Sequence, residues 1–261
     1  MDKIKVKDKP KFYEPQLIHD NFQNYKVYNL PKAQLVIADI PYNIGINAYA
    51  SNPKWYNNGD NKTGESGFAK SSFFSTDGKF NLVEYLHFCS KMIRPEPKEK
   101  GQAGAMIIFC SFLQQFGIIE LAKNYGFNNH INLIFRKNFS AQVLKANMKI
   151  VGNCEYGIVL YREKLPKFNN NRKMIFNVME MDRDTKTPKV HPTQKPIKIL
   201  ERLIEIFTDK GDVVFDPVAG SGTTLLAAAT TGRKGIGFEV SKKFYNLATT
   251  KILNNIQYPL F

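Results

Sequence analysis

Four short runs along the chain are apolar almost without a break: Ala33–Ile40 (AQLVIADI), Ala105–Cys110 (AMIIFC), Asp212–Phe215 (DVVF) and Lys234–Val240 (KGIGFEV). Continuous runs of this length, rich in β-branched residues, predict strands covered on both faces, as in a parallel sheet. His130–Lys137 and Tyr156–Arg162 predict a further, late pair of strands. Elsewhere the period changes. Ile197, Leu200, Leu203, Ile204 and Phe207 recur every three or four positions after Pro196, a residue suited to a first helical turn. Thr223–Thr231 is small and apolar, which predicts a helix packed closely on a sheet. Phe244, Leu247, Ala248 and Ile252 predict a last helix. Alternating strands and helices make the fold class α/β with a mostly parallel sheet.

Two stretches stand outside this rhythm. Asn43–Phe80 is rich in Asn, Gly, Ser and Lys with scattered aromatics, and it is too long for an idle connection. Phe139–Val190 carries the basic run KLPKFNNNRK. With no repeat and no clear linker, residues 1–261 read as one domain bearing a loop at 43–80 and an insertion at 139–190.

Composition narrows the partners more than the fold. Lys and Arg number 37 against 23 Asp and Glu, a net charge of +14, which favours a polyanion such as nucleic acid or an anionic surface. Cys89, Cys110 and Cys154 lie far apart without metal-ligand spacing, so no zinc module or disulfide scaffold is expected, and a reducing cytoplasmic setting is. The charged start MDKIKVKDKPKFYEP lacks the apolar core of a signal peptide, and no apolar run approaches the roughly 18 residues of a membrane span.

Chemistry concentrates at two strand ends. In Val213–Thr224 (VVFDPVAGSGTT) a strand runs through Asp216 and Pro217 into a turn of Ala219, Gly220, Ser221 and Gly222, and a helix opens at Thr223. Glycines let backbone approach a ligand, and the helix start presents unpaired N–H groups. Alone, this is equally a tight strand-to-helix turn. Its context excludes a phosphate loop, because no Gly-Lys-Ser/Thr follows, and the dinucleotide fingerprint is incomplete with Leu225 in place of its third glycine. Asp216 would repel a pyrophosphate but suits an ammonium group, while Glu239 at the next strand end suits the two hydroxyls of a ribose. S-adenosylmethionine, a nucleoside with an amino-acid tail, meets both demands.

The second strand end is Ala38-Asp39-Ile40-Pro41-Tyr42. The Asp39 carboxylate and Ile40 carbonyl can both accept from an aromatic –NH₂, Pro41 restricts the turn, and Tyr42 offers a ring for stacking. In isolation the segment also reads as a plain Asp-x-Pro turn. Together, the two strand ends resemble the DNA amino-methyltransferases, whose members show Asp-Pro-Pro-Tyr and Asp-Pro-Phe-x-Gly-Ser-Gly-Thr. His191-Pro192-Thr193-Gln194-Lys195-Pro196 is similar to that family's His-Pro-x-x-Lys-Pro. The catalytic motif precedes the glycine motif, the permuted order of the β class, and the likeness spans about Gln16 to Asn255. Ile40 departs from the usual first proline but retains the carbonyl.

The resemblance implies a Rossmann-like, S-adenosylmethionine-dependent methyltransferase fold with helices on both faces and no metal. It implies methylation of adenine N6 in DNA at a specific site, the leading Asp favouring adenine over the alternative, cytosine N4. An RNA adenine-N6 enzyme is a second alternative, opposed by Asp39 and the motif order. A cytosine-C5 mechanism is excluded, because no cysteine follows a proline. The implied roles are Asp39, Ile40, Pro41 and Tyr42 in catalysis, and Asp216, Pro217, Ala219, Gly220, Ser221, Gly222, Thr223 and Glu239 around the cofactor. Asp20 would accept from the cofactor's adenine amine, and His191, Thr193 and Lys195 would sit at its amino-acid end. Tyr42 and Phe139 would stack on a base that must be flipped out of a duplex or be single-stranded already. Phe139 reads equally as core. Lys145, Lys149, Lys164, Lys167, Arg172, Lys173, Lys186 and Lys189 in the insertion, with Lys54, Lys62 and Lys70 in the loop, would meet phosphates. DNA is the expected partner; a homodimer and a cognate restriction endonuclease are further partners the resemblance allows.

Overall fold

The structure is a computed structural model that describes residues 13–41, 80–139, 142–145, 148, 150–191 and 193–256. Its centre is an eight-stranded sheet in the order β1-β10-β9-β2-β3-β7-β4-β8. In chain order the strands are β1 (Gln16–Ile18), β2 (Leu35–Asp39), β3 (Ala105–Cys110) and β4 (Asn129–Lys137). After them come β5 (Gln142–Lys145), β6 (Ile150–Gly152), β7 (Cys154–Tyr161), β8 (Val178–Met181), β9 (Val213–Asp216) and β10 (Lys234–Phe238). Strands β5 and β6 form a separate antiparallel pair. In the main sheet only β7 runs against its neighbours, pairing antiparallel with both β3 and β4. The mostly parallel sheet and the permuted order expected from the motifs are thus both present.

Helices α1 (Leu82–Met92), α2 (Gln114–Lys123), α3 (Ile197–Phe207), α4 (Thr223–Thr230) and α5 (Lys242–Leu247) flank it, α5 running on into a π turn at Ala248–Ile252. The continuous apolar strands are explained by two cores, one per sheet face. Val36, Ala38, Met106 and Ile108 pack with Tyr85, Phe88 and Cys89 of α1 and Ile118 of α2. The alternate residues Leu35, Ile37, Ile107 and Phe109 pack with Leu200, Leu203, Ile204 and Phe207 of α3 and Ala227 of α4. Side chains of a strand alternate between faces, so a strand buried on both must be apolar at every position.

Two glycines of β10, Gly235 and Gly237, let α4 and the glycine loop lie close on the sheet. A Cβ on Gly237 would stand 2.8 Å from Leu225 Cδ1, 2.9 Å from the Asp216 carbonyl oxygen and 3.0 Å from Ala219 Cβ. Gly237 pairs in register with Asp216, so the bare strand position lets the glycine loop settle against β10. Gly237→Ala is expected to cost about 1–3 kcal/mol through overpacking. Urea unfolding checks this; an unchanged midpoint would show that the loop has room to shift.

Segment 139–190 is only partly separate from the sheet. β7 occupies an interior place and β8 forms the edge beyond β4. The sequence pattern leaves β8 unseen because only Met179 and Met181 turn inward, while Val178 and Glu180 face outward. Among the described residues no helix is long and apolar enough to cross a membrane.

Candidate active site

Parallel strands place their carboxyl ends on one edge, and four neighbouring strands here end in acids. Asp39 is the last residue of β2 and Asp216 the last of β9. Glu239 directly follows β10, and Asp20 lies just past β1. In the sheet order these strands run β1, β10, β9, β2, so residues far apart in sequence form one acidic row. Ligands of open α/β sheets bind outside this edge.

The glycine loop supplies the floor. Gly220 and Gly222 have φ of 51° and 77°, the left-handed region that glycine enters without a Cβ penalty. Gly222 also precedes α4 without any side-chain cap. Glu239 is 8% exposed, accepting from Gly220 N at 2.9 Å through Oε2 and from Ser241 N at 2.6 Å through Oε1. A carboxylate has about four lone-pair sites, so each oxygen keeps capacity for another donor. Burial raises its pKa to about 7, against the pull of those two N–H groups. Asp216 is 3% exposed and accepts from Val218 N at 3.1 Å. Burial, then the negative charges of Asp39 and Glu239, raises it to about 7 despite a hydrogen bond from Thr224. Such a carboxyl is well matched to a cation. Pro217 is buried, Ala219 N donates to the Phe238 carbonyl, and Ser221 and Thr223 hydroxyls lie 3.0 Å apart.

His191 and Lys195 bring the third motif to both strand ends. The His191 ring lies 4.6 Å from that of Phe244, and an added Cβ on Gly220 would touch it at 3.7 Å. Burial and the nearby Lys195 and Lys189 lower His191 to about 4, so its imidazole is neutral near pH 7. Thr193 approaches Nδ1 with both its N–H, at 3.3 Å, and its hydroxyl, at 3.1 Å. Lys195 takes a position that the sequence pattern does not disclose. Its ammonium lies 2.5 Å from Asp39 Oδ2 and 3.1 Å from Glu155 Oε2, above the Phe109 ring. The third motif therefore grips the first motif as well as the glycine loop.

Ile40 is buried and donates its N–H to the Phe109 carbonyl at 3.3 Å, continuing the β2–β3 pairing past Asp39. The Pro41 carbonyl accepts from Gln114 Nε2 at 2.8 Å, while Gln114 Oε1 accepts from Ser111 N at 2.9 Å. Gln114 thereby ties the turn after β2 to the turn after β3. No sequence signal marked it. Glu155 was also missed, although an acid opening an otherwise apolar strand was visible as a clue. Asp20 accepts from Asn21 N, Asn24 Nδ2 and Tyr28 Oη at 2.7, 2.8 and 2.6 Å. The Tyr28 and Asn24 bonds hold its pKa below the usual carboxylate value.

Phe139 is half-buried against the α3 side of the core. Tyr42, the loop residues 43–79, Pro192 and the side chains of Lys145 and Lys149 lie outside the described residues. Of the proposed phosphate contacts, Lys167 needs correction. It is 8% exposed and pairs with Asp209 and, at 3.9 Å, with Asp212, so it acts as an internal ion-pair partner. Lys164 donates to the Pro97 carbonyl at 2.6 Å, whereas Arg172, Lys173, Lys186 and Lys189 are exposed.

Comparison with known proteins agrees with this geometry. A family profile described as DNA methylase, of N6/N4 methyltransferase type, matches residues 33–250. The chain is 39% identical over 238 residues to the type II methyltransferase M.HpaI of Haemophilus parainfluenzae, a match covering 84% of this chain and 67% of that protein. It is 32% identical over 138 residues to the DNA adenine methyltransferase YhdJ of Escherichia coli K12. That match covers 52% of this chain and 42% of YhdJ, so the chain spans less than half of that relative. The fold resembles an M1.HpyAVI–SAM complex with a TM-score of 0.62 at 22% identity, covering 91% of this chain and 99% of that one. It also resembles the cytosine-N4-specific PvuII DNA methyltransferase, with a TM-score of 0.63 at 15% identity, covering 95% and 92%. The architecture is thus a Rossmann-like methyltransferase fold in permuted order, and the chain belongs to the DNA methylase family of N6/N4 type.

Proposed function

We propose that the protein methylates adenine N6 in DNA at a specific sequence, using S-adenosylmethionine. The observation that carries this reading is the acidic row, which sets the Asp39–Ile40–Pro41 strand end beside the glycine loop and its two buried carboxyls. That donor and acceptor set fits the cofactor: Glu239 would accept from its ribose hydroxyls, and Asp216 lies on its ammonium side. Asp20 would serve the adenine end, and His191 and Thr193 the amino-acid end. When bound, S-adenosylmethionine supplies a sulfonium methyl, to which the target nitrogen forms an N–C bond as the S–C bond breaks, the nitrogen then releasing a proton.

The rest of the work falls to the chain. An exocyclic amine conjugated to a ring is a poor nucleophile. Acceptance of its two N–H groups by the Asp39 carboxylate and the Ile40 carbonyl favours tetrahedral nitrogen and directs its lone pair outward. Asp39 then stabilises the positive charge that develops on nitrogen, a fixed counter-charge at the reacting atom. Alignment of the two reactants supplies a further large part of the acceleration. A base within a duplex must be extruded into the site, with Tyr42 and Phe139 as stacking residues, and exposed lysines and arginines of the 139–190 segment as phosphate contacts.

Adenine is preferred over cytosine because the motif opens on Asp, and the YhdJ likeness supports this. Incubation with labelled S-adenosylmethionine and duplex DNA, single-stranded DNA or RNA, followed by nucleoside analysis, should yield N6-methyladenine from DNA. N4-methylcytosine would overturn the base assignment, and product from RNA alone would overturn the polymer.

A further inference from the structure

Charges alternate along a buried path that begins at Asp39. Lys195 bridges Asp39 and Glu155, and Lys137 Nζ lies 3.0 Å from Glu155 Oε1. The side chains of Lys195, Lys137 and Glu155 are 6%, 9% and 18% exposed. The antiparallel course of β7 makes this path. Because β7 runs against β3 and β4, its first residues lie at the edge where the parallel strands end, and Glu155 meets Lys137, the last residue of β4, there. Lys137 and Lys195 both act to lower the Glu155 pKa, against the opposing effect of its burial.

Buried ion pairs add little net stability compared with apolar packing of the same volume, so four of these charges in sequence call for another explanation. An ammonium held by Asp39 alone would cancel the negative charge that the proposed reaction needs. A second carboxylate on the same ammonium divides its field, and Lys137 balances that carboxylate in turn. We propose that Glu155 is a positioning residue for methyl transfer: by sharing the Lys195 ammonium, it keeps the Asp39 carboxylate oriented towards the target amine and its charge uncancelled by that ammonium. This rests on the reading of Asp39 as the acceptor of that amine.

The test uses Glu155→Gln, which keeps the shape and loses the charge, and Lys137→Met, which removes the balancing cation. Titration of the Asp39 carboxyl by ¹³C NMR is the first readout. Among the described residues, Lys195, Asp216 on β9 and Cys110 on β3 face Asp39, and all three remain in both variants. In Glu155→Gln, Lys195 no longer divides its field between two carboxylates, so the Asp39 midpoint moves to lower pH. In Lys137→Met, Glu155 draws Lys195 more strongly and the midpoint moves to higher pH. Opposite shifts show that both charges reach Asp39 along this path, and the kinetic readout then separates positioning from charge proximity alone. The second readout is methyl transfer to duplex DNA, where Glu155→Gln should lower kcat about tenfold or more while KM for DNA stays within about twofold. Glu155→Asp should recover part of the loss. If Glu155→Gln does not fold, Lys137→Met decides the matter: an upward shift with kcat lowered at constant KM supports the proposal, and an unchanged kcat overturns it. Unmoved or parallel midpoints overturn the proposal, as does an unchanged kcat in Glu155→Gln. Opposite shifts in the two variants, with a wild-type protein that methylates no DNA, would instead overturn the functional reading and leave the charge path standing.

Discussion

Asp39→Ala is expected to lower the rate of base methylation by about 10²- to 10³-fold, the usual consequence of removing a charge-stabilising group aimed at a reacting atom. S-adenosylmethionine affinity should change by no more than about threefold, because Glu239 and the glycine loop hold the other end of the site. The kinetic pattern matters as much as its size. A group that acts on developing charge lowers kcat and kcat/KM together, whereas loss of simple binding would raise KM alone. Asp39→Asn sharpens the argument. The amide oxygen can still accept one hydrogen from the target amine but carries no charge, so its rate should remain closer to Asp39→Ala than to wild type. Single-turnover methylation with each variant provides the check, with calorimetry for the cofactor. An Asp39→Ala protein retaining more than a tenth of the wild-type rate would remove Asp39 from the mechanism.

The second large effect is in the pH dependence of stability and binding. Asp216 and Glu239 both stand at about 7, against ordinary values of 3.8 and 4.5. Between those limits the folded chain keeps protons that the unfolded chain has released. Unfolding free energy therefore falls as pH rises, by about 1.4 kcal/mol per pH unit for each group. His191 acts in the opposite sense, since its folded value of about 4 lies below its ordinary 6.5. The unfolded chain protonates that imidazole first, so its contribution is lost as pH falls through 6.5 towards 4. Between roughly pH 4.5 and 6.5 two carboxyls outweigh one imidazole, and from roughly 6.5 to 7 they act unopposed. The Tm of the free protein should therefore fall between pH 5 and 7, and Asp216→Asn should flatten the slope. A cationic ligand reverses the preference, because it favours the ionised carboxyl that the empty fold resists. S-adenosylmethionine should bind more tightly as pH rises over the same interval, by up to about tenfold per pH unit for each carboxyl it engages. Calorimetric titration at stepped pH tests this, and an affinity independent of pH would show that neither carboxyl meets the ligand.

The net charge of +14 points to a polyanion, yet the proposed reaction gathers around a minority of acids. These do different things according to burial. Asp216 and Glu239 are poised near 7, while Asp20, bonded to Tyr28 and Asn24, stays in its charged form. Carboxylates thus provide both cation-matching groups and a fixed acceptor at a single edge.

Much of this molecule could be read from the chain itself. The strand Ala105–Cys110 and the helix Ile197–Phe207 follow from local rules, since a continuous apolar run must be covered on both faces and a three-to-four spacing puts one helix face inward. The glycine loop and the Asp39 strand end were legible for the same reason: their chemistry is contiguous in sequence. What the sequence could not determine is which distant residues share a side chain's field. The capture of Lys195 by Asp39 and Glu155, the hold of Gln114 on Pro41 and the withdrawal of Lys167 into an ion pair each join segments on different elements. Such contacts depend on strand order and direction, above all on β7 running backwards and bringing Glu155 to the reactive edge. Local periodicity is set by bonds along the chain, whereas electrostatic neighbours are set by the distances that remain after it folds.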